Sequence, residues 1–230
     1  MTKAKAKPDV KPDAEQPAEP IGTAIVSIQE RIKQRLAKVN QTTAQPGSKR
    51  ISVKGSKFRL PDGTASDGPL NCVIMDYTNS NVWYKDDWVE GTVTPPDCFS
   101  IGKIIDELTP HSSVEKPVNA VCSSCPKNQY GSRGRGKECD NTVLLAILPE
   151  GFTEESEVLT LKVAPKGLKD WGQYVRTLQQ QGVDPVQVIT SISFVPGMSY
   201  PQLKFRALGG NAKLEDVGPF MASADALLQA

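Results

Sequence analysis

The run "VCSSCPKNQYGSRGRGKECDN", residues 121–141, carries three of the five cysteines in this 230-residue chain. Cys122 and Cys125 form a C-x-x-C, a spacing that lets two thiolates and nearby backbone amides face one ion. Cys139 closes the basic, turn-rich run that follows, and Cys98 lies upstream in "TPPDCFS". Together Cys98, Cys122, Cys125 and Cys139 form a donor set for a closed tetrahedral Zn2+ site, which would supply folding energy to a stretch with few apolar residues of its own. His111, the only histidine, is the alternative fourth ligand; Cys98 is preferred because "PPDC" reads as a tight turn that presents its thiol. Four cysteines also suit an iron–sulfur cluster, and ligand count alone leaves that choice open. A redox dithiol places its C-x-x-C at a strand-to-helix junction, which Pro126 and the glycines after it do not resemble. "GSRGRGK" lacks the spacing of a nucleotide-phosphate loop. Cys72, inside the apolar run "LNCVIM", reads as a core residue.

A single histidine excludes chemistry that needs two. Asp76, Asp86, Asp87 and Glu90 do not follow a known carboxylate motif, so the chain reads as a non-enzyme. The formal net charge is +1, so attraction to a polyanion has to come from local patches. One patch is Lys49, Arg50, Lys54, Lys57 and Arg59. A second surrounds the knuckle: Lys127, Arg133, Arg135 and Lys137. Lys204 and Arg206 alternate with Leu203 and Phe205 and so face away from the core. Among the accompanying aromatics, Trp83, Tyr84 and Tyr130 are candidates for base stacking. A cationic track with aromatic platforms is how proteins hold single strands.

The elements that must position these residues follow from periodicity and punctuation. Residues 1–20 lack large apolar side chains and read as a disordered tail. In residues 21–46, Ile21, Ile25, Ile28, Ile32, Leu36 and Val39 recur at helical spacing and are followed by a linker. Residues 47–210 read as one β domain, interrupted by an irregular, zinc-stapled insertion at about 94–141. Strands are expected at "KRISVKGSKFRL", with a turn or bulge at Gly55–Ser56, and at "NTVLLAILP", "SEVLTLKVAP", "VDPVQVITSISF" and "YPQLKFRAL". "LNCVIMDYTNSNVWYKDDW" reads as a hairpin turning at "TNSN". Leu168, Trp171, Val175 and Leu178 define a helix that Gly182 closes. Residues 211–230 form a tail or short helix. The class is mainly β with one or two helices (α+β), and the helix position suits an OB-fold-like antiparallel barrel, with an α+β sandwich as its main competitor. No secretory h-region and no apolar run of about 18 residues appears, so a cytoplasmic protein without a membrane span is expected.

The runs "PPDCFS", "CSSCPKNQYGSRGRGKEC", "NTVLLAIL" and "LKVAPKGLKDWGQYVRTLQQQG" resemble those of small phage-encoded proteins. In logic they are similar to phage single-stranded DNA-binding proteins that carry a zinc module in an OB-fold. The resemblance implies a replication or recombination accessory role in the host cytoplasm, with single-stranded DNA and phage or host replication proteins as partners. The competing expectation is a zinc-stabilised protein–protein adaptor, either a virion component or a modulator of host transcription.

Overall fold

Alternation of apolar side chains builds a sheet that is covered on both faces. The computed structural model describes residues 49–87 and 94–229. The expected tail at 1–20 and the amphipathic stretch from Ile21 to Val39 lie outside them. In β4 (Leu70–Trp83), Cys72 and Ile74 enter one apolar cluster while Val73 and Met75 enter another. In β6 (Asp140–Pro149), Val143, Leu145 and Ile147 join the first cluster, and Ala146 and Leu148 the second. Strands buried on both sides read as continuous apolar runs, which explains "NTVLLAIL".

The remaining strands are β1 (Arg50–Lys54), β2 (Lys57–Arg59), β3 (Ala65–Ser66), β5 (Cys98–Gly102), β7 (Leu159–Val163), β8 (Val188–Phe194) and β9 (Leu203–Gly210). The pairing order is β3-β2-β1-β7-β6-β4-β8-β9, with β5 added to β4. Only the β1–β7 contact is parallel among the described pairings, and it covers just Arg50↔Thr160 and Ile51↔Leu161. β1 and β2 are joined by Gly55 and Ser56, with φ of 60° and 53°. Positive φ at both central residues is what a two-residue hairpin turn with the twist of its strands requires.

Phe58 on β2 stacks on Phe194 of β8 at 4.5 Å between ring centroids, although β1, β7, β6 and β4 separate the two strands in the sheet. The sheet must therefore curl around the first cluster. Helix α1 (Leu168–Gln180) fills the hollow with Trp171, Tyr174, Val175 and Leu178. Gly182, at φ 68°, ends it, and the amides of Gly182 and Val183 cap the carbonyls of Gln179 and Leu178. Helix α2 (Met221–Gln229) lays Ala224 and Leu228 on the second cluster.

The mainly β, α+β class is thus present. Closure into an OB-like barrel is not among the described pairings, which run as an open path from β3 to β9. A small barrel has one interior. Here Val73, Met75, Ala146 and Leu148 make the outer face apolar as well, and α2 covers it. The expected hairpin at "TNSN" is instead one unbroken 14-residue strand. At this point Asn79 Nδ2 donates to Lys103 O, and Asn81 Oδ1 accepts from Asn141 Nδ2. With β6 on one side and β5 on the other, turn-forming residues are held extended.

Trp171 meets Tyr77, Tyr174 and Phe205 at 5.1–6.0 Å between ring centroids. Trp171→Ala is expected to lower stability by about 3–5 kcal/mol, read as a lower urea midpoint at unchanged slope.

Candidate metal centre and cationic surface

Two of the four candidate ligands are fixed by the sheet. Cys98 opens β5 directly opposite Trp83 at the end of β4. Cys139 immediately precedes β6, whose first residue, Asp140, pairs with Val82. The strands on either side of β4 therefore deliver Cys98 and Cys139 to the same end of the sheet. The other two come from the loop. The amide of Cys122 donates to Leu108 O at 2.9 Å, that of Asn128 to Cys125 O at 3.0 Å and that of Cys139 to Lys127 O at 2.9 Å. Asn128 Nδ2 holds Cys122 O, and Gln129 Nε2 holds Ser123 O and Cys125 O. Between Lys103 and Cys139 the only regular structure is two three-residue 3-10 turns, Ile105–Glu107 and Pro126–Asn128. Polar bonding rather than apolar packing shapes this segment.

All four thiols line one cavity of about 20 Å³, room for a single water-sized occupant. Ser100 shares the wall. It is fully buried, and its Oγ has no hydrogen-bond partner among the described residues, so it is available to a thiolate. Burial, and then the thiols of Cys125, Cys122 and Cys98, push the Cys139 thiol up to about 12. Four thiolates could coexist there only around a cation. All five cysteines are free thiols. The four share the cavity without being drawn into a ready coordinating cluster, since among the described residues no three Cys, His, Asp or Glu side chains stand in such an arrangement. The donor set, the single-ion volume and the orphaned Ser100 hydroxyl all suit a small thiophilic ion. His111 does not line the cavity: its ring stacks on Phe99 at 4.8 Å and its Nδ1 meets Ser113 Oγ at 2.8 Å. Cys72 is fully buried in the first cluster, and burial drives its thiol far above the ordinary range.

The knuckle cations divide into two kinds. Lys127 Nζ bonds Glu138 Oε2 at 2.7 Å and lies 5.5 Å from the centroid of the Trp83 ring, whose Nε1 also donates to Glu138. The Lys127 bond, with help from Trp83, holds the Glu138 carboxyl below its usual range. Lys137 Nζ bonds Asn128 Oδ1 and Asn141 Oδ1. Lys127, Lys137 and Trp83, expected as nucleic-acid contacts, thus have partners inside the module. Arg133 reaches Asp87 at 3.4 Å. Arg135, Tyr84 and Tyr130 are exposed, Tyr130 by 78%.

In the first patch, Lys49 pairs with Glu157 and Lys57 with Asp67. Arg50, Lys54 and Arg59, with Lys204 and Arg206 on β9, are exposed and have no ion-pair partner among the described residues. Arg50 and Leu203 line a common cavity, so the β1 and β9 margins flank one seam of the curled sheet.

Sequence reasoning passed over Ser100, Glu138, Asn128 and Asn141, polar residues whose roles depend on partners distant in the chain. It also passed over Lys162, whose only signal was a charge placed between Leu161 and Val163. Comparison with protein-family models, curated proteins and solved structures finds no match. Among the described residues no helix is long and apolar enough to cross a membrane.

Proposed function

We propose that this chain binds single-stranded nucleic acid, DNA in the first instance, as a phage replication or recombination accessory protein, with Zn2+ held by Cys98, Cys122, Cys125 and Cys139 as a structural staple. Zinc would tie the loop to the end of the sheet, and the strand would contact protein side chains, not the metal itself. The observation that carries the reading is the set of exposed cations with no ion-pair partner among the described residues: Arg50 and Lys54 on β1, Arg59 on β2, and Lys204 and Arg206 on β9, with Arg50 and Leu203 lining one cavity between β1 and β9. The OB-like part of the reading rests on the curl that brings Phe58 against Phe194, which gives a half-barrel with an open flank.

Fluorescence anisotropy with labelled oligothymidylate tests it: binding that weakens steeply with salt supports the reading, and affinity flat in salt sinks it. Exposed Tyr130 is the best stacking platform on the knuckle. Tyr130→Ala is expected to weaken oligonucleotide binding by about 1–3 kcal/mol, with no change in melting temperature. The adaptor reading has one observation in its favour. Ile104 and Ile105 are 56% and 64% exposed beside the knuckle, apolar surface suited to a protein partner. Retention of a protein partner after Ile105→Ser, with oligonucleotide binding intact, would count against it.

A further inference from the structure

A second cavity lies where the sheet fails to stay paired. After Ile51, β1 leaves β7, so the edges of Ser52 and Val53 on one strand and of Lys162 and Val163 on the other no longer bond each other. The opening holds about 250 Å³, roughly eight waters' worth of space. Ala164, Gly167, Pro201 and Leu203 complete its wall. The charged residues in its lining are Arg50 and Lys162, both cations, and neither has an ion-pair partner among the described residues. Lys162 is half-buried. Burial first, and then the Arg50 guanidinium, hold its ammonium below its usual range, with Asp140 acting in the opposite, smaller sense. Two like charges kept together in a partly desolvated cleft are stabilised by an anion between them.

We propose that the cleft between β1 and β7 is a phosphate-monoester site: Arg50 and Lys162 hold the phosphate, and the wall of Val53, Ala164, Pro201 and Leu203 receives a small body attached to it. A phosphate dianion matches the two cations in charge, and a guanidinium binds two of its oxygens at once. The volume and the apolar wall favour an esterified phosphate over the free ion. Such a group comes from a free mononucleotide or from the 5′-phosphorylated end of a strand. The site deepens the single-strand reading by giving that strand a terminus-specific contact, but it does not depend on that reading.

The test is calorimetric titration of the full chain with dTMP, thymidine and inorganic phosphate, on the wild type, Lys162→Met and Arg50→Gln. dTMP should bind about tenfold or more tighter than either thymidine or phosphate, as expected for a charge-assisted pair. Each variant should abolish that difference. Lys162→Met should melt no lower than the wild type, because it removes a repelled, desolvated charge. Arg50→Gln, at an exposed position, removes the other cation of the site independently of the half-buried Lys162. Oligothymidylate with a 5′-phosphate or a 5′-hydroxyl separates the sources. A preference for the phosphate lost in Lys162→Met identifies a strand end; no preference, with dTMP binding intact, identifies a free mononucleotide. Equal binding of dTMP and thymidine, or dTMP affinity unchanged in both variants, overturns the site whether or not oligonucleotides bind. Oligonucleotide binding that fails while dTMP binding persists removes the single-strand reading and leaves the site standing.

Discussion

Cys125→Ser is expected to abolish metal binding and to unfold the segment between β5 and β6, and a strong chelator should do the same to the wild type. The reason lies in what holds that segment. Its backbone is fixed by polar bonds such as Asn128 Nδ2 to Cys122 O and Ser132 Oγ to Lys127 O. Its buried side chains are few: Leu108, Cys122, Cys125 and Cys139. Polar bonds contribute only about 0.5–1.5 kcal/mol each against the entropy of ordering the loop. A structural zinc contributes on the order of 10 kcal/mol of apparent binding energy to such modules. The core around Leu145, Leu161 and Trp171 does not include the knuckle, so the sheet should outlast the loop. Amide exchange resolves this: on metal removal, protection should vanish for Cys122–Cys139 and persist in β6 and β7. Trp83 lies in the cavity wall and bonds Glu138, so its emission should shift in step. Uniform loss of protection would instead make the metal part of the global fold. No loss at all would mean that the thiols are not ligands.

The second large effect concerns salt. If Arg50, Lys54, Arg59, Lys204 and Arg206 each neutralise one phosphate, the logarithm of affinity should fall with the logarithm of salt at a slope of about −3.5 for a single strand. That is roughly a hundredfold between 50 and 200 mM. Replacing Arg59, Lys204 and Arg206 together by glutamine should reduce the steepness of the slope by about 2. The three are exposed on β2 and β9, so the melting temperature should hold. Lys127→Gln should behave differently. Its ammonium is bound to Glu138 and lies against Trp83, so the change should loosen the knuckle and leave the salt slope nearly as it was. An unchanged slope in the triple variant would remove the seam from the account. An equal loss from Lys127→Gln would move the phosphate contacts to the knuckle.

Local signals carried much of this architecture. Helix α1 was legible because Leu168, Trp171, Val175 and Leu178 recur at helical spacing and Gly182 supplies the left-handed cap. The Gly55–Ser56 turn and most strands were legible for similar reasons. What stayed hidden depends on partners far along the chain. "TNSN" has turn-forming residues, yet flanking β5 and β6 hold it extended. Residues 94–141 look irregular throughout, yet Cys98–Gly102 becomes a strand because β4 is long enough to offer it an edge. The second apolar face was implicit in the unbroken run of β6, but nothing local assigned α2 to cover it. At the candidate metal centre, residue types and spacing singled out four cysteines that the fold brings to one cavity. The unpaired hydroxyl of Ser100 and the partners of Lys127 and Lys137 could not be read before β4, β5 and β6 were placed. Lys162 was the least legible, because its cleft is made by strands that part company.

X-ray absorption at the zinc edge, on the purified full chain with metal content measured in the same sample, addresses the proposed metal centre most directly. One zinc per chain is expected, with four sulfur neighbours at about 2.3 Å. A nitrogen neighbour in the shell, iron in place of zinc, or less than a tenth of an equivalent of any metal in protein purified without chelator would contradict it.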